Sequence, residues 1–168
     1  MLRVKYGIAL LIALFLVGLL PLATFAASPH FISASASDPG GNLTVTFKEA
    51  GLGDTVLISY EASANGTAVY ACINGGNKHP KAANKETVSG PVSALGMFSS
   101  DKNGTVSASL LIRPLSQGSF TCPSGQTLVL AFVSYTNAGI ADATNNVSQG
   151  IPGRFSECLV DPALGLCS

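Results

Sequence analysis

Period-two alternation of apolar and polar residues constrains this chain most. Along 42–49, Leu43, Val45 and Phe47 take one side while Thr44, Thr46 and Lys48 take the other, the pattern of a half-buried strand. The same period places Val56, Ile58 and Tyr60 opposite Thr55, Ser59 and Glu61, and recurs at Val106, Ala108, Leu110 and Ile112. No helical period competes with it beyond the amino-terminal leader. Gly, Pro and Asn clusters separate the alternating runs, which predicts an all-β chain of about seven or eight short strands.

The punctuation gives an order to these runs. A weakly alternating edge strand is expected over 31–37, ended by Asp38-Pro39-Gly40-Gly41. Asn65-Gly66 reads as a tight hairpin leading into the strand that carries Cys72, and Asp101-Lys102-Asn103-Gly104 reads as the next. Pro91 marks an edge or a break in the run 87–100. Residues 127–136 are apolar on both faces, as in a strand central to its sheet, and Asn137-Ala138-Gly139 is a bend or bulge. From Asn145 onward Gly150, Pro152, Gly153 and Pro162 resist regular structure, while Phe155, Leu159, Leu164 and Leu166 are suited to pack back.

The first 26 residues have the form of a secretory signal peptide. Arg3 and Lys5 precede an uncharged apolar run, followed by Pro21 and small residues suited to cleavage after Ala26. An uncleaved membrane anchor is the alternative, since about 20 apolar residues span a bilayer. Removing 26 of 168 residues leaves 142, enough for one core: a sandwich over 27–144 with a carboxy-terminal tail over 145–168. The full chain has nine basic and nine acidic residues, and loss of Arg3 and Lys5 leaves seven against nine. That balance gives no electrostatic reason to expect nucleic acid or an anionic membrane as partner.

Cys72, Cys122, Cys158 and Cys167 all lie beyond the leader, and an even number in an exported chain predicts disulfides. Three connectivities are possible. The favoured one joins Cys72 to Cys122 between two strand regions and Cys158 to Cys167 around a short tail loop. Their spacing is not that of a zinc ribbon, and His30 and His79 form no paired ligand motif, so neither metal nor cofactor is expected.

Several chemistries lack their signature. There is no G-x-S-x-G elbow for a serine hydrolase, and the carboxylates are scattered; pairs such as Glu49 with Glu61, or Glu86 with Asp142, would need a shared cleft to act on a polysaccharide. Recognition is expected instead in the polar loop 74–86, where Lys78, His79, Lys81 and Lys85 suit an acidic glycan or protein surface. The competing reading is that these side chains only keep the loop solvated. Sequons stand at Asn42, Asn65, Asn103 and Asn146; Asn65-Gly66 and Asn103-Gly104 also have a sufficient turn explanation, and turns are favoured over glycans.

With strands and cysteines placed, the chain resembles small secreted bacterial proteins with an immunoglobulin-like β-sandwich. The resemblance rests on Cys72-Ile73-Asn74-Gly75-Gly76-Asn77, Phe120-Thr121-Cys122-Pro123-Ser124-Gly125-Gln126 and Val133-Ser134-Tyr135-Thr136-Asn137. It covers roughly 41–145 and implies export and an antiparallel immunoglobulin-like (Greek-key) sandwich, without catalytic residues to carry over. A jelly roll or another Greek-key sandwich stays open, since the buried tryptophan usual in immunoglobulin domains is absent. The expected role is extracellular and non-catalytic: binding, adhesion or a place at the cell surface, with an unidentified protein or glycan partner. A secreted polysaccharide-acting enzyme, or a structural or inhibitory protein, is the alternative.

Overall fold

Alternation becomes burial most plainly in the strand Leu43–Ala50, where Leu43, Val45 and Phe47 are sealed and Thr46 and Lys48 face solvent. In the computed structural model, which describes residues 28–74 and 84–167, this is the second of seven strands. They are β1 (His30–Ser37), β2 (Leu43–Ala50), β3 (Leu57–Asn74), β4 (Lys85–Ser99), β5 (Val106–Ile112), β6 (Gln126–Asp142) and β7 (Val147–Cys158). The expected leader, residues 1–26, lies outside the described residues. Among those described, no helix is long and apolar enough to cross a membrane.

All strand pairings are antiparallel and form two sheets, of order β1-β2-β5 and β4-β3-β6-β7. The inward residues of both sheets share one core, with Leu43, Val45 and Phe47 from one and Ile58, Tyr60 and Val133 from the other. Phe47 stacks on Tyr60 with ring centroids 4.6 Å apart, and Phe31 and Phe98 meet Phe47 edge-on, each at 6.1 Å. β1 is an edge strand, as its weak alternation suggests, and Pro91 sits in β4, an edge of the larger sheet.

Three local expectations require correction. Asn65-Gly66 is no hairpin: it lies mid-strand in β3, with Asn65 opposite both Pro91 and Thr136. Gly66 has a packing reason instead, since a Cβ there would meet Val92 at 3.3 Å and Tyr135 at 3.6 Å. Asp101 to Gly104 is a tight turn, with Asp101 Oδ1 accepting from the amides of Asn103 and Thr105, but its flanking strands β4 and β5 belong to different sheets. The third correction concerns the expected irregular tail. Much of it is β7, which pairs with β6 despite Gly150, Pro152 and Gly153, because a bulge near Asn137 absorbs the register shift beside them. Pro is tolerated at such an edge or bulge position.

β6 is central, and two irregularities explain its apolar residues on both faces. Register shifts at Val69/Tyr70 and at Thr136/Ala138 change which parity points inward, so Leu128 and Leu130 share the core with Val133 and Tyr135 and then with Ala138 and Ile140. Beyond β7 the chain crosses the outer side of this sheet, where Leu166 closes a second small cluster on Ala71 and Ala131. The disulfides join Cys72 to Cys122 and Cys158 to Cys167. The first ties β3 to the β5–β6 connection, since Cys122 itself lies outside any strand, and the second holds the segment bearing Leu166.

Candidate functional surface

The residues expected to recognise a ligand are only partly placed. Lys78, His79 and Lys81 lie outside the described residues. Lys85 is exposed at the start of β4 opposite Ala71, so it is a strand residue rather than a loop residue. His30 is exposed and bonded within its own segment, Nδ1 to the Ser28 carbonyl oxygen at 2.8 Å.

The carboxylate pairs suggested by the sequence do not form. Glu49 points into the core while Glu61 is exposed on β3. Glu86 and Asp142 register opposite Tyr70 and Tyr60 of that strand, roughly 33 Å apart along it. The two carboxyl groups that do converge are Glu49 and Asp142, at 0% and 1% exposure. Tyr60 completes the cluster. Burial is the main cause that raises the Glu49 carboxyl above its ordinary value; the Tyr60 hydroxyl opposes the shift, Asp142 adds to it and His30 weakly opposes it. Burial, aided by Glu49, also raises the Tyr60 phenol. Asp142 organises the following turn, accepting from the amides of Thr144 (2.8 Å) and Asn145 (2.9 Å) and from Asn145 Nδ2 (2.6 Å).

Parity could have found this cluster. Glu49 continues the inward series Leu43, Val45, Phe47; Tyr60 is in phase with Ile58 and Ala62; Asp142 is in phase with Ala138 and Ile140. Glu49 and Asp142 therefore enter at the ends of their apolar series, Tyr60 lies within its own, and the three meet in the core. Both carboxyl residues are sealed from solvent among core side chains. Among the described residues, no group of three His, Cys, Asp or Glu side chains is arranged to hold a metal ion.

The outer side of the four-stranded sheet is different. A shallow depression of about 400 Å³ is lined by Glu61, Ser63, Asn65, Pro91, Ser93 and Asn137. A second, of about 440 Å³, continues past Asn65 and Pro91 to Thr67, Ser89, Thr136 and Arg154. Thr67 and Ser89 share a hydroxyl contact of 3.0 Å across β3 and β4, and Arg154 Nη2 donates to Ser134 Oγ at 3.4 Å. Small hydroxyl and amide side chains thus form a trough across β4, β3, β6 and β7. It is open and lined mostly by polar residues, unlike the enclosed apolar pockets that hold small molecules. Its chemistry suits multiple hydrogen bonds to an extended surface.

Together these features define a disulfide-bonded, all-β protein of two antiparallel sheets with a polar outer trough. No family model matches the chain, and no curated relative is found. A solved structure that aligns with it is the solution structure of R. palustris CsgH, at 11% identity over 83% of this chain and 99% of that one. The TM-score of 0.25 is too low to carry an argument.

Proposed function

We propose that this chain is an exported, non-catalytic binding module with an immunoglobulin-like Greek-key sandwich, engaging an extracellular protein or glycan through the trough on its four-stranded sheet. The leader pattern at 1–26 and the two disulfides support export. The sheet orders β1-β2-β5 and β4-β3-β6-β7 support the topology, since the chain changes sheet after β2, β4 and β5. The observation that carries the binding role is the run of hydroxyl, amide and guanidinium groups from Ser93 through Asn65 and Thr136 to Arg154. The sequence points to the loop 74–86 for recognition; the trough is an alternative built on paired strands, with Lys85 on one of them.

The test is a screen of the protein against glycan arrays and immobilised extracellular-matrix proteins, repeated with Thr136→Arg and Arg154→Ala. A ligand whose affinity falls at least about tenfold in both variants supports the trough, a loss of about 1.4 kcal/mol. Unchanged affinity in both would move the site elsewhere. Release of reducing ends from a polysaccharide would replace the binding role with the enzyme alternative.

A further inference from the structure

The free side of β4 combines an unpaired backbone with exposed apolar side chains. Among the described residues β4 pairs only with β3, without any register shift from Leu57 opposite Ser99 to Ala71 opposite Lys85. Just beyond it, the Ser100 amide donates to the Val56 carbonyl, so even-numbered residues direct their backbone groups toward β3. The odd-numbered residues therefore direct theirs outward. Pro91 agrees, because a residue without an N–H fits where that group would face away from the sheet. Ser93, Leu95 and Met97 consequently present N–H and C=O groups along the open edge.

The same residues project side chains onto the outer side of the sheet. Leu95 is 73% exposed and Met97 63%, and Leu57 (54%) lies diagonal to Met97 on β3. Natural edge strands usually carry charges that repel another strand. Here no charged residue occurs between Glu86 and Asp101.

We propose that β4 is a homodimerisation edge, pairing antiparallel with β4 of a second copy about a two-fold axis at Leu95. In that register Leu95 faces its own counterpart, and Ser93 faces Met97 of the other copy. These are the residues whose backbone groups point outward, so each such pair exchanges two N–H···O bonds. Met97 and Leu95 of both copies then form one apolar strip. The uncharged stretch 87–100 meets itself without like charges, while Pro91 falls opposite Ser99 near the end of the ladder. Self-complementarity is what selects a second copy over a foreign strand.

Sedimentation equilibrium on the chain as exported by its host, from about 1 μM to about 1 mM, provides the test. A reversible monomer–dimer equilibrium is expected. Leu95→Lys, which places like charges opposite each other at the axis, and Ser93→Pro, which removes an outward N–H together with a hydroxyl that lines the trough, should each raise the dimer Kd at least about tenfold, with melting temperature nearly unchanged. Ile32→Lys, on β1, should leave the Kd as it is. A wild type that stays monomeric throughout overturns the proposal, as does a dimer indifferent to both β4 variants; a monomer that captures a foreign β-strand at this edge overturns it in favour of that partner. None of these outcomes depends on the trough ligand, so failure here is separable from failure of the binding role.

Discussion

The hydroxyl of Tyr135 donates to the carbonyl of Gly41 at 2.7 Å, joining residues 94 positions apart and fastening the turn between β1 and β2 to the centre of the opposite sheet. The Gly41 amide is held as well, donating to Glu157 Oε2 of β7 at 2.8 Å. Both backbone groups of one glycine thus serve as cross-sheet ties. Its φ of +82° would strain any L side chain, and a Cβ there would come within 2.8 Å of Leu159 Cδ1.

Tyr135→Phe leaves the Gly41 carbonyl buried without this donor. We expect a loss of about 1–3 kcal/mol in urea unfolding, with the m-value unchanged. Burial pushes the Tyr135 phenol up to about 12, so the bond should persist through the neutral range and alkaline titration should show this tyrosine ionising late.

Glu49 gives stability a definite pH dependence. Its folded carboxyl is raised above the ordinary value of 4.5, so the native state holds a proton that the unfolded chain has released. The slope of unfolding free energy with pH follows protons bound in the unfolded state minus those in the native state, and is negative in this window. The contribution is complete below the unfolded value and is lost as pH rises from 4.5 toward the raised one. Glu49→Gln should therefore stabilise the protein at neutral pH, and its advantage should shrink toward pH ~4; denaturant melts of both proteins across this range would show it. A constant difference would mean that Glu49 does not titrate as its burial requires.

The disulfides should contribute unequally. Cys72 and Cys122 are 50 residues apart and Cys158 and Cys167 are 9 apart. Loop-closure entropy assigns about 4 kcal/mol to the first and about 3 kcal/mol to the second. Replacing each pair by alanine and comparing denaturation midpoints at fixed m-value would measure the difference. The second pair should also expose the cluster of Leu166 with Ala71 and Ala131, detected as faster amide exchange at Ala71.

Close approach rather than backbone angle governs Gly96. A Cβ there would lie 2.6 Å from Leu110 Cδ2 and 3.0 Å from Phe98 Cε2, between the two sheets. Gly96→Ala should cost about 1–3 kcal/mol through overpacking. Gly150→Ala, which meets no atom within 4 Å, should change stability by less than about 0.5 kcal/mol. Parallel thermal melts compare the two.

Strand identity was legible wherever one face is core and the other is solvent. Leu43, Val45 and Phe47 against Thr44, Thr46 and Lys48 needed no partner to be read, because alternation is a property of a single extended chain. That same local pattern determined that Glu49 and Tyr60 point inward, whereas for Asp142 the shift at Thr136/Ala138 decided it. Their meeting was decided only by tertiary structure, since β2 belongs to one sheet and β3 and β6 to the other. Asn65-Gly66 and Asp101 to Gly104 show the same division. Both look like hairpins, yet one continues a long strand and the other carries the chain between sheets, because the strand a segment pairs with depends on contacts far away in sequence. The outer trough was hidden for this reason too: Ser89, Asn65, Thr136 and Arg154 come from four strands, and only their register makes them neighbours. The sequence by itself determined period, cysteine count and punctuation. Folding decided partner, register and the bulges in β6, because those are set by packing between strands rather than by the residues of any one of them.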